Sequence, residues 1–332
     1  MVVVGAAGVA IVGCGLIGHK RANALPPGLL RVVCDVNAAR MHDLAARHPG
    51  VEEVADWRAA VERADVTIAI VATTHDALAP ISAYAAAAGK HVLVEKPAAR
   101  RGAELDAVEA AAARTGALVR VGFNHRYHRA LRKARAIVDA GALGVLTHVR
   151  ARYGHGGRPG YDREWRAQPA ISGGGEAIDQ GMHVIDLARW FLGDFVDVYG
   201  FMPRYFWDMP VEDNAFFLLR TAGAQVAQLH TSWTEWKNLF SFELFGRDGK
   251  LEVRGLGGSY GTESLAHYAM SAELGPPETT IYEYPMTDDS WAAEFAAFLS
   301  DIAAGRQPDP SVADARCALA VIERIYAAEA AQ

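Results

Sequence analysis

Between residues 9 and 121, short unbroken apolar runs recur, and most are followed by an alanine-rich stretch with helical spacing. Val9–Val12, Arg31–Cys34, Val66–Val71, His91–Val94 and Ala117–Val121 are mostly β-branched and do not alternate with polar residues. Such runs suit parallel strands covered on both faces. Ala38–Arg47, Ala77–Ala88 and Gly102–Arg114 are predicted as helices. Gly89 and Gly116 follow the last two, where a left-handed cap would end them. The βαβαβ rhythm predicts a doubly wound parallel α/β domain over residues 1–121.

After Gly122 the rhythm changes. A helix over Arg126–Ala140 leads to a strand over Val145–Tyr153, a Gly/Pro/Arg-rich loop from Gly154 to Gly175, and a helix over Glu176–Phe191. Strand-like runs follow at Val196–Phe201, Ala215–Thr221, Gln225–Thr234, Phe240–Phe245 and Lys250–Val253. The Asp-Gly pair in Gly246–Gly249 marks a hairpin turn. Helices over Ser290–Ala304 and Ser311–Ala328 close the chain. Residues 122–332 therefore read as an α+β domain with successive antiparallel strands.

Composition narrows the class without naming a chemistry. The 332 residues are 51% hydrophobic and 22% charged, as in a soluble globular protein of about two domains. A net charge of −6 gives no sign of nucleic-acid binding. The nearest to a basic run, Arg129, Arg132, Lys133 and Arg135, has the spacing of a solvated helix face. Cys14, Cys34 and Cys317 show no ligand spacing and fit a reducing cytoplasm. Met1–Gly18 carry no charge, but five glycines and the lack of a leading Lys or Arg point to a strand and turn, not a signal peptide or membrane span.

Gly13-Cys14-Gly15-Leu16-Ile17-Gly18 follows the first strand and opens a helix, so its glycines can bring main chain close to a pyrophosphate. Asp35 ends the second strand 20 residues after Gly15, where a carboxylate accepts the ribose hydroxyls of NAD and repels a 2′-phosphate. Arg40 keeps NADP as the second choice. Lys96 comes directly after the apolar run His91–Val94 and Glu95, and Pro97 restricts its backbone. A lysine is usually solvated, but the carboxyl end of such a strand faces the ligand crevice. Serving there as a proton acceptor requires its pKa to fall from about 10.4 towards about 7–8.

Asp179, His183 and Asp186 stand at i, i+4 and i+7, one stripe of a helix. Packed polar residues, ligands to a divalent ion and a substrate pocket are all compatible with that stripe. The pocket is our reading, without a metal. In it His183 bonds the reacting oxygen, Asp179 orients it, and Asp186 caps or braces the helix. Arg126, Arg158, Arg163, Trp165 and Arg166 fall in or beside loops expected at the cleft, where arginines grip anions and tryptophan stacks on sugar rings.

Taken together, Gly13–Gly18, Glu95-Lys96-Pro97, Gly122-Phe-Asn-His-Arg-Tyr127 and Gly173–Asp186 make the chain resemble, over nearly its whole length, the Gfo/Idh/MocA family of sugar and polyol dehydrogenases. The resemblance implies a Rossmann domain binding NAD(P), a cis peptide before Pro97, and a large, mostly antiparallel second sheet. The open face of that sheet would build homodimers or homotetramers. It matches Lys96, Asp179 and His183 to catalytic positions. Gly13, Gly15, Leu16, Ile17, Gly18, Asp35, Thr73, His75, Glu95 and Lys96 fall to the cofactor, and Arg126, Trp165, Arg166, Asp179 and His183 to the substrate. Thr74-His75 stands where the family usually has Pro-Asn.

The expectation is a cytoplasmic, membrane-free NAD-dependent dehydrogenase of a sugar, polyol or sugar nucleotide. An NAD-dependent glycosidase and a non-catalytic NAD-binding regulator are the rivals.

Overall fold

The computed structural model describes residues 8–331 apart from 272 and 274, so residues 1–7 of the uncharged N-terminal stretch lie outside the described part. Contacts divide the chain into two compact units. The first comprises Met1–Phe123, Ala170–Gly173 and Trp291–Arg316; the second comprises Asn124–Pro169, Gly174–Ser290 and Cys317–Gln332. A single cut after residue 121 does not describe these contacts. Phe295 and Phe298 of the helix Ser290–Ala304 complete a core with Val9, Ile11, Val33 and Leu93, which draws that helix into the first unit.

In the first unit β1 (Val9–Val12), β2 (Leu30–Cys34), β3 (Glu52–Glu53), β4 (Ile68–Val71), β5 (His91–Glu95) and β6 (Val119–Gly122) form one parallel sheet, ordered β3-β2-β1-β4-β5-β6. Every residue of β1 and β4 is buried, which is why their sequences are continuous rather than alternating. Strand order reverses between β1 and β4, so the ligand crevice of this topology lies at the carboxyl ends of the strands. Gly13, Thr73 and Lys96 all stand just past such ends. Helices Ala38–Ala46 and His75–Ala87 lie close to their predicted bounds, and Gly116 caps Asp106–Thr115 with a left-handed φ of 76°. The helix Trp57–Glu62, capped by Asp56 accepting from the Arg58 amide at 3.0 Å, was not anticipated.

In the second unit β7 (Leu146–Gly154), β8 (Phe195–Phe201), β9 (Asn214–Thr221), β10 (Val226–Ser232), β11 (Leu239–Gly246), β12 (Gly249–Arg254), β13 (Glu263–Ala269) and β14 (Glu278–Tyr284) make an eight-stranded sheet. Its order is β14-β13-β12-β11-β7-β10-β9-β8. All pairs are antiparallel except β7 with β10, in keeping with the mostly antiparallel sheet expected. Helices Arg129–Asp139 and Met182–Leu192 pack on one face. On Arg129–Asp139 the buried side is Ala130, Leu131, Ala134 and Ile137, so the basic residues coat the other side as predicted. The other face of the sheet stays open: on β9, Ala215, Phe217 and Leu219 are buried while Phe216, Leu218 and Arg220 are exposed.

Candidate active site

The glycine loop of the first unit is shaped by close backbone approach. Gly13 has φ +102°, and a Cβ there would lie 2.3 Å from the Ala72 carbonyl oxygen. Gly15 precedes the helix Leu16–Asn23, and a Cβ on it meets nothing within 4 Å, so the amino end of the helix is open on that side. Leu16 is 75% exposed and Ile17 half-buried, while Gly18 is buried against the loop. Asp35 is fastened from both sides: the Cys14 amide donates to Oδ2 at 2.7 Å and the Asn37 amide to Oδ1 at 2.8 Å. A carboxylate offers about four lone-pair sites, so a fixed acceptor remains for a diol. An open helix amino terminus beside a fixed carboxylate fits a dinucleotide. Burial pushes the Cys14 thiol up to about 12 and the Cys34 thiol up to about 11, so both behave as small neutral core groups.

Lys96 follows β5 half-buried, and its bond to Pro97 is cis, as the family resemblance implies. Glu95 does not offer its carboxylate outward. It is buried and accepts from Arg21 Nε at 2.6 Å, while Arg21 Nη1 reaches Glu294 Oε2 at 2.5 Å. Glu95 therefore ties the strand end to the glycine-loop helix. His75 is likewise buried, and its Nδ1–H donates to the Ser172 carbonyl at 2.8 Å. The neighbouring Thr73 hydroxyl donates to the Thr74 carbonyl at 3.2 Å.

In the second unit the predicted helix over Glu176–Phe191 begins as a π-helical turn, Ala177–Gly181, and continues as α-helix through Met182–Leu192. Such wide turns concentrate at functional positions. Asp179 and His183 are both buried. Arg166 Nε donates to Asp179 Oδ2 at 3.0 Å, and the Arg166 guanidinium lies 4.5 Å over the Trp165 ring. Burial works against the Arg166 charge but Asp179 outweighs it, so the guanidinium stays cationic. Trp165, Arg166 and Asp179, three expected substrate residues, thus form one connected group.

Arg126 is engaged by another carboxylate. It grips Asp186 with two bonds, Nε to Oδ2 at 2.8 Å and Nη2 to Oδ1 at 2.6 Å, and both residues are buried. It makes a bidentate brace on the helix that carries His183, and Asp186 has the bracing role suggested for it.

The residue that sequence reasoning passed over is His125. Its ring stacks on His183 with centroids 3.8 Å apart and 29° between planes, and Tyr153 approaches both rings edge-on. Tyr153 packs against Tyr260 at 5.4 Å. Burial raises the Tyr153 hydroxyl well above its usual value and moves Tyr260 up to about 12, so both remain neutral hydrogen-bonding groups. The only sequence signal for His125 was its place inside the Gly122–Tyr127 motif.

Comparison with known proteins agrees with this geometry. Residues 7–123 match the family model of the Gfo/Idh/MocA oxidoreductases, described as an NAD-binding Rossmann fold, and residues 131–252 match the Gfo/Idh/MocA C-terminal domain. The chain is 26% identical over 281 residues to levoglucosan dehydrogenase of Pseudarthrobacter phenanthrenivorans, covering 73% of this chain and 72% of that one. It is 30% identical over 248 residues to dTDP-3,4-didehydro-2,6-dideoxy-alpha-D-glucose 3-reductase of Actinomadura kijaniata, covering 73% of each. With inositol 2-dehydrogenase of Gluconacetobacter diazotrophicus the identity is 32% over 204 residues, 59% of this chain and 58% of that one. The fold is shared with levoglucosan dehydrogenase solved with NADH and levoglucosan, at TM-score 0.86 and 24% identity over 98% of this chain and 97% of that one. The chain belongs to the Gfo/Idh/MocA family and is an NAD-dependent oxidoreductase.

Proposed function

We propose that this oxidoreductase transfers hydride between nicotinamide and a CH–OH carbon of a sugar or polyol ring. The observation that carries the reading is the position of Lys96, directly after β5 at the carboxyl edge of an NAD-binding sheet. NAD, when bound, supplies the hydride acceptor. Lys96 then takes the hydroxyl proton at Nζ, or returns it in the reverse direction. His183, held by its stack on His125, hydrogen-bonds the reacting oxygen. Asp179, charge-balanced by Arg166, binds an adjacent hydroxyl and orients the ring. Placement and electrostatics supply the acceleration, with no covalent intermediate.

The named relatives act on levoglucosan, an inositol and a nucleotide-linked keto sugar, each a six-membered ring with hydroxyl or keto carbons. Among these an uncharged ring suits this chain best. Arg126 pairs with Asp186, Arg166 with Asp179, Arg158 with Glu164 at 2.5 Å, and Arg163 lies 3.9 Å from Asp162, so each arginine expected at the cleft already faces a carboxylate. We also propose a cytoplasmic homo-oligomer. Tyr199 and Phe201 of β8 pair with Leu218 and Phe216 of β9, leaving four large apolar side chains exposed side by side on the open sheet face. Among the described residues no helix is long and apolar enough to cross a membrane.

The test is a spectrophotometric panel of polyols, aldoses, anhydrosugars, phosphorylated sugars and sugar nucleotides, each with NAD and NADP. Formation of NADH from an unphosphorylated ring is the expected result. Tight NAD binding with no absorbance change from any substrate would overturn the reading.

A further inference from the structure

One buried acid has no part in the chemistry above. Glu212 lies in the loop between β8 and β9 and is 7% exposed. Its Oε1 collects three donors: the Gly175 amide at 3.0 Å, the Ala177 amide at 3.1 Å and the Tyr326 hydroxyl at 2.6 Å. Its main chain takes the residue between, because the Glu176 amide donates to the Glu212 carbonyl at 3.1 Å. Residues 175, 176 and 177 therefore all hang from one residue. Asp179 follows within the same turn, with its own amide donating to the Gly175 carbonyl at 3.1 Å, and His183 lies one turn further. Contact is so close that only glycine serves at 175, where a Cβ would stand 2.0 Å from the Glu212 carbonyl oxygen.

We propose that Glu212 is a positioning residue, setting through the main chain of residues 175–177 where Asp179 and His183 stand. This rests on the reading of Asp179 and His183 as the residues that meet substrate. Amides at the start of a helix lack internal acceptors, so an outside carboxylate decides where that start sits. The carboxylate also holds the clamp in a proton-dependent way. Burial pushes Glu212 up to about 7, against the opposing pull of the Tyr326 hydroxyl and the three amides of Glu212, Ala177 and Gly175. Ionised, it accepts its donors as charge-assisted bonds; protonated, it accepts them more weakly. The titratable groups around it are Tyr326 and, beyond it, Glu329 on the helix Val312–Ala330, Glu176 on the clamped segment, and Asp213 beside it in the loop. Tyr326 is driven well above its ordinary value by burial and by Glu212 itself, so it stays a donor throughout.

The experiment follows amide hydrogen exchange at residues 175–179 and, in parallel, kcat and KM against pH, for the NAD-loaded enzyme and its Glu212→Gln and Glu212→Ala variants. After correction for intrinsic exchange, the wild type shows a step in protection near pH 7. Glu212→Ala loses that protection and about 10- to 100-fold in kcat, the scale of a small misplacement, with NAD affinity unchanged. Glu212→Gln keeps an acceptor oxygen but has no proton to lose, so it restores protection and most of kcat and abolishes the step.

Wild-type exchange in Glu212→Ala, or a persisting step in Glu212→Gln, overturns the proposal. Should the alanine variant not fold, Tyr326→Phe removes one bond to the ionised form and moves the wild-type step to higher pH; an unmoved step is contrary. Exchange is read without turnover, so a chain that oxidises no sugar would sink the functional reading and leave this result standing.

Discussion

At position 126 a guanidinium that the motif places beside the cleft is consumed by a carboxylate sixty residues away in sequence. A buried bidentate pair adds little net stability over an apolar pair of the same shape, yet breaking it from one side is costly, about 3–5 kcal/mol. Arg126→Met is therefore expected to lower unfolding free energy by that amount, and pairing it with Asp186→Leu recovers most of the loss. Urea unfolding of the three variants checks this. A single variant as stable as wild type but with a raised KM would mean that Arg126 holds substrate after all. The residue-scale lesson runs the same way at Glu95 and His125. Each sits in a motif that the sequence displays openly, but what it touches depends on Arg21 or His183, whose proximity no local pattern encodes. The tight turn at Gly13 and the fixed carboxylate of Asp35 were legible because they depend on backbone conformation and on a short, fixed spacing.

The helix that carries Asp179 and His183 starts under a clamp that costs stability. An unfolded glutamate releases its proton near 4.5, whereas Glu212 in the folded protein holds it up to about 7. The folded state thus binds more protons between those values, so its stability falls as pH rises through that window, by about 3 kcal/mol at most. Glu212→Gln has no proton to bind or release here. The stability of wild type relative to the variant should drop by roughly that amount between pH 5 and pH 8, read from denaturant midpoints at each pH; parallel pH dependence in both proteins would contradict the account. Elements differed in how plainly the sequence announced them. β1, β4 and β5 are continuous apolar runs because both faces are covered, and no other reading suits them. β14, Glu278–Tyr284, went unseen because an edge strand with mostly exposed residues has no apolar face to display. The parallel pairing of β7 with β10 went unseen because register between strands some eighty residues apart is set by the whole sheet.

For the molecule as a whole, the family places a hydride-transfer enzyme on a chain of modest negative charge, and two features of that whole are open to measurement. The apolar patch of Tyr199, Phe201, Phe216 and Leu218 lies on the uncovered sheet face, and a soluble protein keeps such a patch when another copy covers it. Leu218→Asp should turn the proposed oligomer into a monomer in sedimentation velocity while leaving NAD affinity intact; a wild-type protein already monomeric at high concentration would refute the assignment. The fold, the cofactor and the family could be read from motifs spread along the sequence, because each motif combines a fixed spacing with a strand end. Substrate identity could not, since it depends on which charges of the 158–166 loop remain unpaired after folding.

The claim on which the rest turns is that Lys96 handles the substrate proton. Its most direct measurement is single-turnover hydride transfer by Lys96→Met, with the best substrate of the panel and with NAD affinity determined beside it. Unchanged NAD affinity with transfer slowed about 10²–10⁴-fold is the predicted result. Transfer at the wild-type rate would contradict it.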